Sequence, residues 1–388
     1  MTSSIPAFRV VAGPDLAADL RLLTEVADRE FAALGIRGTV SSAPDLPALS
    51  AALEAPGPLV VLPGPRAEAR ALIPAHPHVV WLDLVRAVSA SAAGHAGSAP
   101  GRPAGSEGAL REAGTERPTH LHGRGVWGLA WAIRHAVHRL RWPARRVAYG
   151  PDPDQWAEVR FPRRSPAVQG TGPEPGPGTA PTVVLLHGGY WRSIWGADLM
   201  DALAVDLAER GAVSWNVEYR RPDLHGWAAT TEDVAAALAL AAGRARGPVV
   251  VVGHSAGGQL ALRAAADDHR VALAVSLAGV LDLVEGDRRH LSSGAVAAAL
   301  GGSAAEVPAA YAASSPLERL PLKVPQLIVQ GGGDDLDLID LGRRYARAAR
   351  AADDDVTYLE MSGDHFDVID PASPIWRATA GAMADYRM

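Results

Sequence analysis

The sequence predicts an α/β protein in two parts, and the alternation of apolar runs with helical stretches is what predicts it. From about Ala144 onward the strand candidates are Val213 to Val217, Val249 to Val252, Val271 to Leu277, Gln326 to Val329 and Val356 to Leu359. Helical stretches such as Ala197 to Arg210 and Glu232 to Ala242 separate them. Short β-branched runs alternating with helices imply a mostly parallel sheet covered on both faces. Ligands of such a sheet bind at the carboxyl ends of its strands. A fainter alternation fills the first 143 residues, with strands at Phe8 to Ala12, Gly38 to Ser42, Leu59 to Leu62 and Val79 to Leu84 and helices at Leu16 to Leu34 and Leu46 to Leu53.

That first pattern predicts a small flavodoxin-like α/β domain. An apolar-periodic helix from Val126 to Leu140 followed by Pro143 marks its end, so domains are expected at 1–143 and 144–388. Two segments, Ser89 to Pro118 and Ser165 to Pro181, are rich in Gly and Pro and read as flexible loops. The second lies between Ala157 to Phe161 and the strand before His187, where a long surface hairpin connection is expected.

Composition bounds the function. A chain of 388 residues with 48% apolar and 21% charged residues can bury two cores. A net charge of −6 argues against nucleic acid or an anionic membrane as the main partner. Lys323 is the only lysine, which reads as a compositional bias toward arginine. The absence of cysteine excludes disulfides, thiolate metal sites and cysteine catalysis. Met1 to Val10 lacks a basic stretch followed by an apolar one, and no apolar run approaches a membrane span, so a cytoplasmic location is expected.

The chemistry concentrates in three stretches. Val249-Val250-Val251-Val252 runs into Gly253-His254-Ser255-Ala256-Gly257-Gly258 and then into the helix-like Gln259 to Ala266. A strand, a Gly-x-Ser-x-Gly turn and a helix form a nucleophile elbow, in which flanking glycines let strand and helix pass closely beneath an exposed serine. Upstream, Val183 to Leu186 enters His187-Gly188-Gly189-Tyr190-Trp191, the form of loop that α/β-hydrolases use for an oxyanion hole. Donors are expected from Gly188, Gly189, Tyr190 and Ala256, aimed where negative charge develops.

Downstream, Gly363-Asp364-His365-Phe366-Asp367 follows a late strand. Serine needs a base that works near neutral pH, and His365 is last in the chain order Ser, acid, His that this fold requires. The acid is expected after Val324 to Val329, in Gln330-Gly331-Gly332-Gly333-Asp334-Asp335, with Asp334 favoured over Asp335. Asp337, Asp340 and Asp364 read as solvated surface charges. His187 and His254 read as residues that shape their loops by hydrogen bonding. Trp195 and Trp227 read as packing residues, and Tyr190 and Trp191 are candidates to floor an aromatic substrate pocket, the alternative being that they wedge the oxyanion loop against the core.

Together with Val217-Glu218-Tyr219-Arg220-Arg221, Ser276 to Leu283 and His365-Phe366-Asp367, these motifs resemble the kynurenine formamidase and esterase branch of the α/β-hydrolases from about Tyr149 to the C-terminus. The resemblance implies a cofactor-free serine hydrolase acting on a small ester or aryl formamide, with no metal. Members of the branch often carry His-Gly before the acid and Val-Pro after it, where this chain has Gln330-Gly331 and Asp337-Leu338.

In the first domain Val11 to Leu16, Leu62-Pro63-Gly64-Pro65 and Gly123 to Leu129 resemble landmarks of type II dehydroquinate dehydratase. That family depends on a loop tyrosine and two asparagines, whereas the first tyrosine here is Tyr149 and Asp15 and Leu62 occupy the asparagine places. A non-catalytic domain is expected, serving assembly into a homo-oligomer or covering the hydrolase pocket. Two other classes stay open: a peptidase of the prolyl oligopeptidase kind, whose propeller would need repeated blades, and a non-catalytic binding module.

Overall fold

The computed structural model describes residues 7–86, 118–163 and 180–386, so most of the two loop-like segments lie outside the described residues. The chain divides into two compact units, residues 1–141 and 142–388. Among the described residues no helix is long and apolar enough to cross a membrane.

The first unit is a five-stranded sheet of β1 (Phe8–Ala12), β2 (Gly38–Ser42), β3 (Leu59–Leu62), β4 (Val80–Asp83) and β5 (Thr119–His122) in the order β2-β1-β3-β4-β5. Every pairing is parallel, which gives the flavodoxin-like strand order. Strand side chains alternate between faces. Phe8, Val10, Val60, Leu62, Val80 and Leu82 pack with Leu23 and Phe31 of α1 (Leu20–Ala33) and Leu129 and Ile133 of α4 (Gly128–Arg141). Val11, Val61 and Trp81 pack on the opposite face with Leu49 and Leu53 of α2 (Leu46–Glu54) and Ala69 of α3 (Ala67–Arg70). β5 was not expected from the sequence, because Thr-His-Leu-His is too short and too polar to stand out; as an edge strand it needs only one apolar residue inward.

The second unit is an eight-stranded sheet in the order β13-β12-β11-β10-β8-β9-β7-β6. Its strands are β6 (Arg145–Ala148), β7 (Trp156–Arg160), β8 (Thr182–Leu186), β9 (Val213–Glu218), β10 (Val249–His254), β11 (Val271–Leu277), β12 (Gln326–Gly331) and β13 (Val356–Met361). β7 runs antiparallel to both its neighbours and the remaining pairs are parallel. The expected hairpin between β7 and β8 is therefore corrected. β9 lies between those two strands, hydrogen-bonded to each, so β7 and β8 are not neighbours in the sheet. Succession along the chain shows only that β7 and β8 are consecutive.

Among the described residues the helices that accompany this sheet are α5 (Asp201–Glu209), α6 (Pro222–Ala242), α7 (Ala256–Asp267), α8 (Leu283–Arg288), α9 (Leu291–Leu300), α10 (Pro308–Ser314), α11 (Leu336–Ala351) and α12 (Pro374–Asp385). β10, at the centre of the sheet, is buried along its whole length, which explains why it reads as an unbroken Val run rather than an alternating one. α6 begins ten residues before the predicted start at Glu232, with a break at Gly226, whose φ is +78°.

Candidate active site

Ser255 sits between β10 and α7 at φ 55° and ψ −120°, a backbone conformation that L-residues rarely adopt. Glycine is required on both sides of it. A Cβ on Gly253 would meet the Gly257 carbonyl, and one on Gly257 would meet the Leu186 carbonyl of β8. The Ser255 N–H donates to the Leu277 carbonyl at the end of β11 over 2.8 Å, which fixes the turn against the sheet. Ala256 opens α7, so its N–H has no acceptor within the helix.

The oxyanion-type loop lies directly on this turn. A Cβ on Gly188 would come within 2.8 Å of both the Ser255 Cβ and the His254 carbonyl. Gly189, Tyr190 and Trp191 follow at φ of +106°, +49° and +56°. His187 shapes the loop from behind. Its Nδ1 is 2.8 Å from the Gly188 carbonyl, its ring stacks on Tyr219 at 4.3 Å, and the Tyr219 hydroxyl donates to the His187 carbonyl over 2.8 Å. Glu218, at the end of β9, accepts the Ala197 N–H over 2.9 Å and pairs with Arg221.

His365 Nδ1 lies 2.9 Å from Asp334 Oδ2. Asp334 also accepts from the Gln330 side chain over 2.9 Å and from the Asp335 N–H over 2.6 Å. Burial alone would raise its carboxyl; the His365 hydrogen bond and charge, with those two donors, outweigh burial and hold it below the ordinary carboxylate range. Asp335 faces elsewhere and caps α11, accepting the Asp337 N–H over 2.8 Å.

Three aspartates read as solvated charges have partners. Asp337 and Asp340 pair with Arg289 at 2.8 and 2.6 Å. Asp364 accepts the N–H groups of Phe366 and Asp367 and so bends the loop that carries His365.

The expectation that Trp191 floors a substrate pocket is corrected. Its side chain is 1% exposed, donates from Nε1 to Gln259 over 3.2 Å and meets the Trp227 ring edge-on at 5.9 Å. Left-handed φ at residue 191 turns the indole inward, where it packs. Tyr190 is partly exposed, and burial followed by the nearby carboxylates of Asp335 and Asp334 raises its hydroxyl pKa.

His254 is buried and places its Nε2 2.9 Å from the His365 carbonyl, so it joins the elbow to the loop that carries His365. Burial first, then the charge of His365, pushes it down to about 3 from an ordinary 6.5. The unfolded chain takes up a proton at position 254 as pH falls through 6.5, and the folded chain does not until about 3. Acid across that window favours unfolding, and stability is regained as pH rises. The urea midpoint should therefore fall less steeply with acid in His254→Gln than in the wild-type chain; parallel slopes would contradict the assignment.

For metals, Asp152, Asp154 and His225 are the group of possible ligands that converges among the described residues, and Arg221 already pairs with Asp154 at 3.1 Å.

Residues 183–369 match a family profile described as the alpha/beta hydrolase fold. The second unit has the α/β-hydrolase fold. Among solved structures it is similar to a phosphonate-inhibited esterase B from Lactobacillus rhamnosis, at 19% identity and a TM-score of 0.52 over 66% of this chain and 90% of that one. It is also similar to a carbohydrate esterase from gut microbiota, at 15% identity and a TM-score of 0.51 over 62% and 94% of the two chains. A bacterial heroin esterase matches at 22% identity and a TM-score of 0.50 over 63% and 83%. At these identities the likeness is one of fold. No curated protein sequence matches the chain.

Proposed function

We propose that the second unit is a serine hydrolase that cleaves small carboxylic esters or aryl formamides through an acyl-enzyme. The observation that carries this reading is the 2.9 Å contact between His365 Nδ1 and Asp334, in a loop joined through the His365 carbonyl to His254, the residue before a serine held at positive φ. With Nδ1–H bound to the carboxylate, Nε2 is the bare nitrogen. It takes the proton of Ser255 Oγ as that oxygen attacks the acyl carbon. Asp334 stabilises the imidazolium that results. The N–H groups of Gly189, Tyr190 and Ala256, with Gly188 giving them their close approach, hold the oxyanion. Collapse breaks the bond to the leaving alcohol or amine, which receives the proton from His365. Water then repeats the sequence on the acyl-enzyme and restores Ser255.

The substrate class rests on the motif resemblance, and the three fold relatives are all esterases by name. A propeller-gated peptidase is disfavoured because the first unit is a parallel five-stranded sheet. We assign that unit no chemistry of its own, since Asp15 pairs with Arg66 at 2.6 Å where the dehydratase pattern has asparagine.

Initial rates on N-formylkynurenine, p-nitrophenyl acetate, p-nitrophenyl butyrate and a prolyl anilide test the reading. Turnover of the formamide or the two esters, with none of the anilide, is expected. Turnover of the anilide alone, or of nothing in the panel, would overturn it.

A further inference from the structure

Tyr190 and Trp191 are two bulky residues in succession at left-handed φ, directly after Gly189 at +106°. Such a run is strained, and it persists only where the surroundings over-determine it. Three contacts from three elements do so here. Ser193 donates from N and Oγ to Asp223 of α6, at 3.1 and 2.9 Å to Oδ2. Arg192 donates to the Ser292 carbonyl of α9 over 2.6 Å. Trp191 donates to Gln259 of α7 over 3.2 Å.

The third differs from the others because α7 is the helix that begins at the candidate nucleophile. Gln259 stands four residues after Ser255, fully buried, and both ends of its amide are used. Its oxygen accepts from Trp191 and its nitrogen donates to the Ser314 carbonyl of α10 over 2.8 Å. Indole N–H is a donor only, so the amide orientation is fixed by its partners. Ser314 Oγ in turn accepts from Trp227 over 2.8 Å, and Trp227 meets Trp191 edge-on, which closes a ring of four residues.

We propose that Gln259 is a positioning residue that fastens the oxyanion loop to the nucleophile helix through Trp191, and so sets where the loop's N–H donors stand relative to Ser255. This role rests on the serine hydrolase reading. Donors preorganised for an oxyanion act on the transition state more than on bound substrate, so a loosened loop lowers kcat with little change in KM.

The test uses the full chain. Gln259→Met keeps the volume and removes both hydrogen bonds; Trp191→Phe removes the same contact from the other side. Each is expected to lower kcat by about 10- to 100-fold, with KM nearly constant. The double variant is expected to lose no more than the worse single variant, because both break one link. Independently of turnover, the Trp191 indole N–H, identified by its disappearance in Trp191→Phe, should be protected from hydrogen exchange in the wild-type chain and unprotected in Gln259→Met. Absence of Ser255-dependent turnover in the wild-type chain would overturn the hydrolase reading. With turnover present, an unchanged kcat in Gln259→Met, or losses that multiply in the double variant, would overturn the positioning role.

Discussion

Ser255→Ala is expected to abolish hydrolysis, with a loss in kcat on the order of 10⁴ to 10⁶. In the proposed mechanism the Ser255 hydroxyl is the group that forms the acyl-enzyme. Alanine lacks the attacking oxygen, while the left-handed backbone at φ 55°, set by the glycines around it and by the bond to the Leu277 carbonyl, stays in place. Covalent labelling by a fluorophosphonate should vanish with the activity. Labelling that survived in this variant would place the nucleophile elsewhere, and an unaltered melting temperature would show that the loss is chemical.

Asp334→Asn is expected to cost about 10³ to 10⁴ in kcat with the fold intact. An amide can hold the imidazole, but it does not stabilise the imidazolium, and by offering an N–H to Nδ1 it favours the tautomer whose Nε2 cannot accept the serine proton. Asp335→Asn should lose far less, because Asp335 caps α11 and asparagine caps nearly as well. Comparing kcat of the two variants decides the matter: reversed losses would move the acid to Asp335.

The fold was legible where one strand's own residues carry the signal. β10 is a run of four valines because both its faces are covered, and β1, β3 and β11 are short apolar runs bounded by turns. β5 and β6 leave little trace in the sequence because edge strands need few inward apolar residues. The position of β9 between β7 and β8 was equally hidden, since strand order is decided by which faces and edges meet in space, not by succession along the chain.

At the site the same division holds. The elbow can be read from the residues alone, since Gly253 is demanded by the Gly257 carbonyl four residues on, and sterics over so short a stretch leave a spacing in the sequence. The chain order of Ser255, Asp334 and His365 is equally plain in the sequence. Which of two adjacent aspartates meets His365 follows from packing in space, because a one-residue step in a loop turns a side chain to another neighbour: Asp334 faces the imidazole and Asp335 the start of α11. The inward direction of Trp191 is likewise a product of the folded chain. That outcome depends on a backbone angle and on Gln259, 68 residues further along the chain, and a contact over that separation leaves no periodicity or spacing in the sequence.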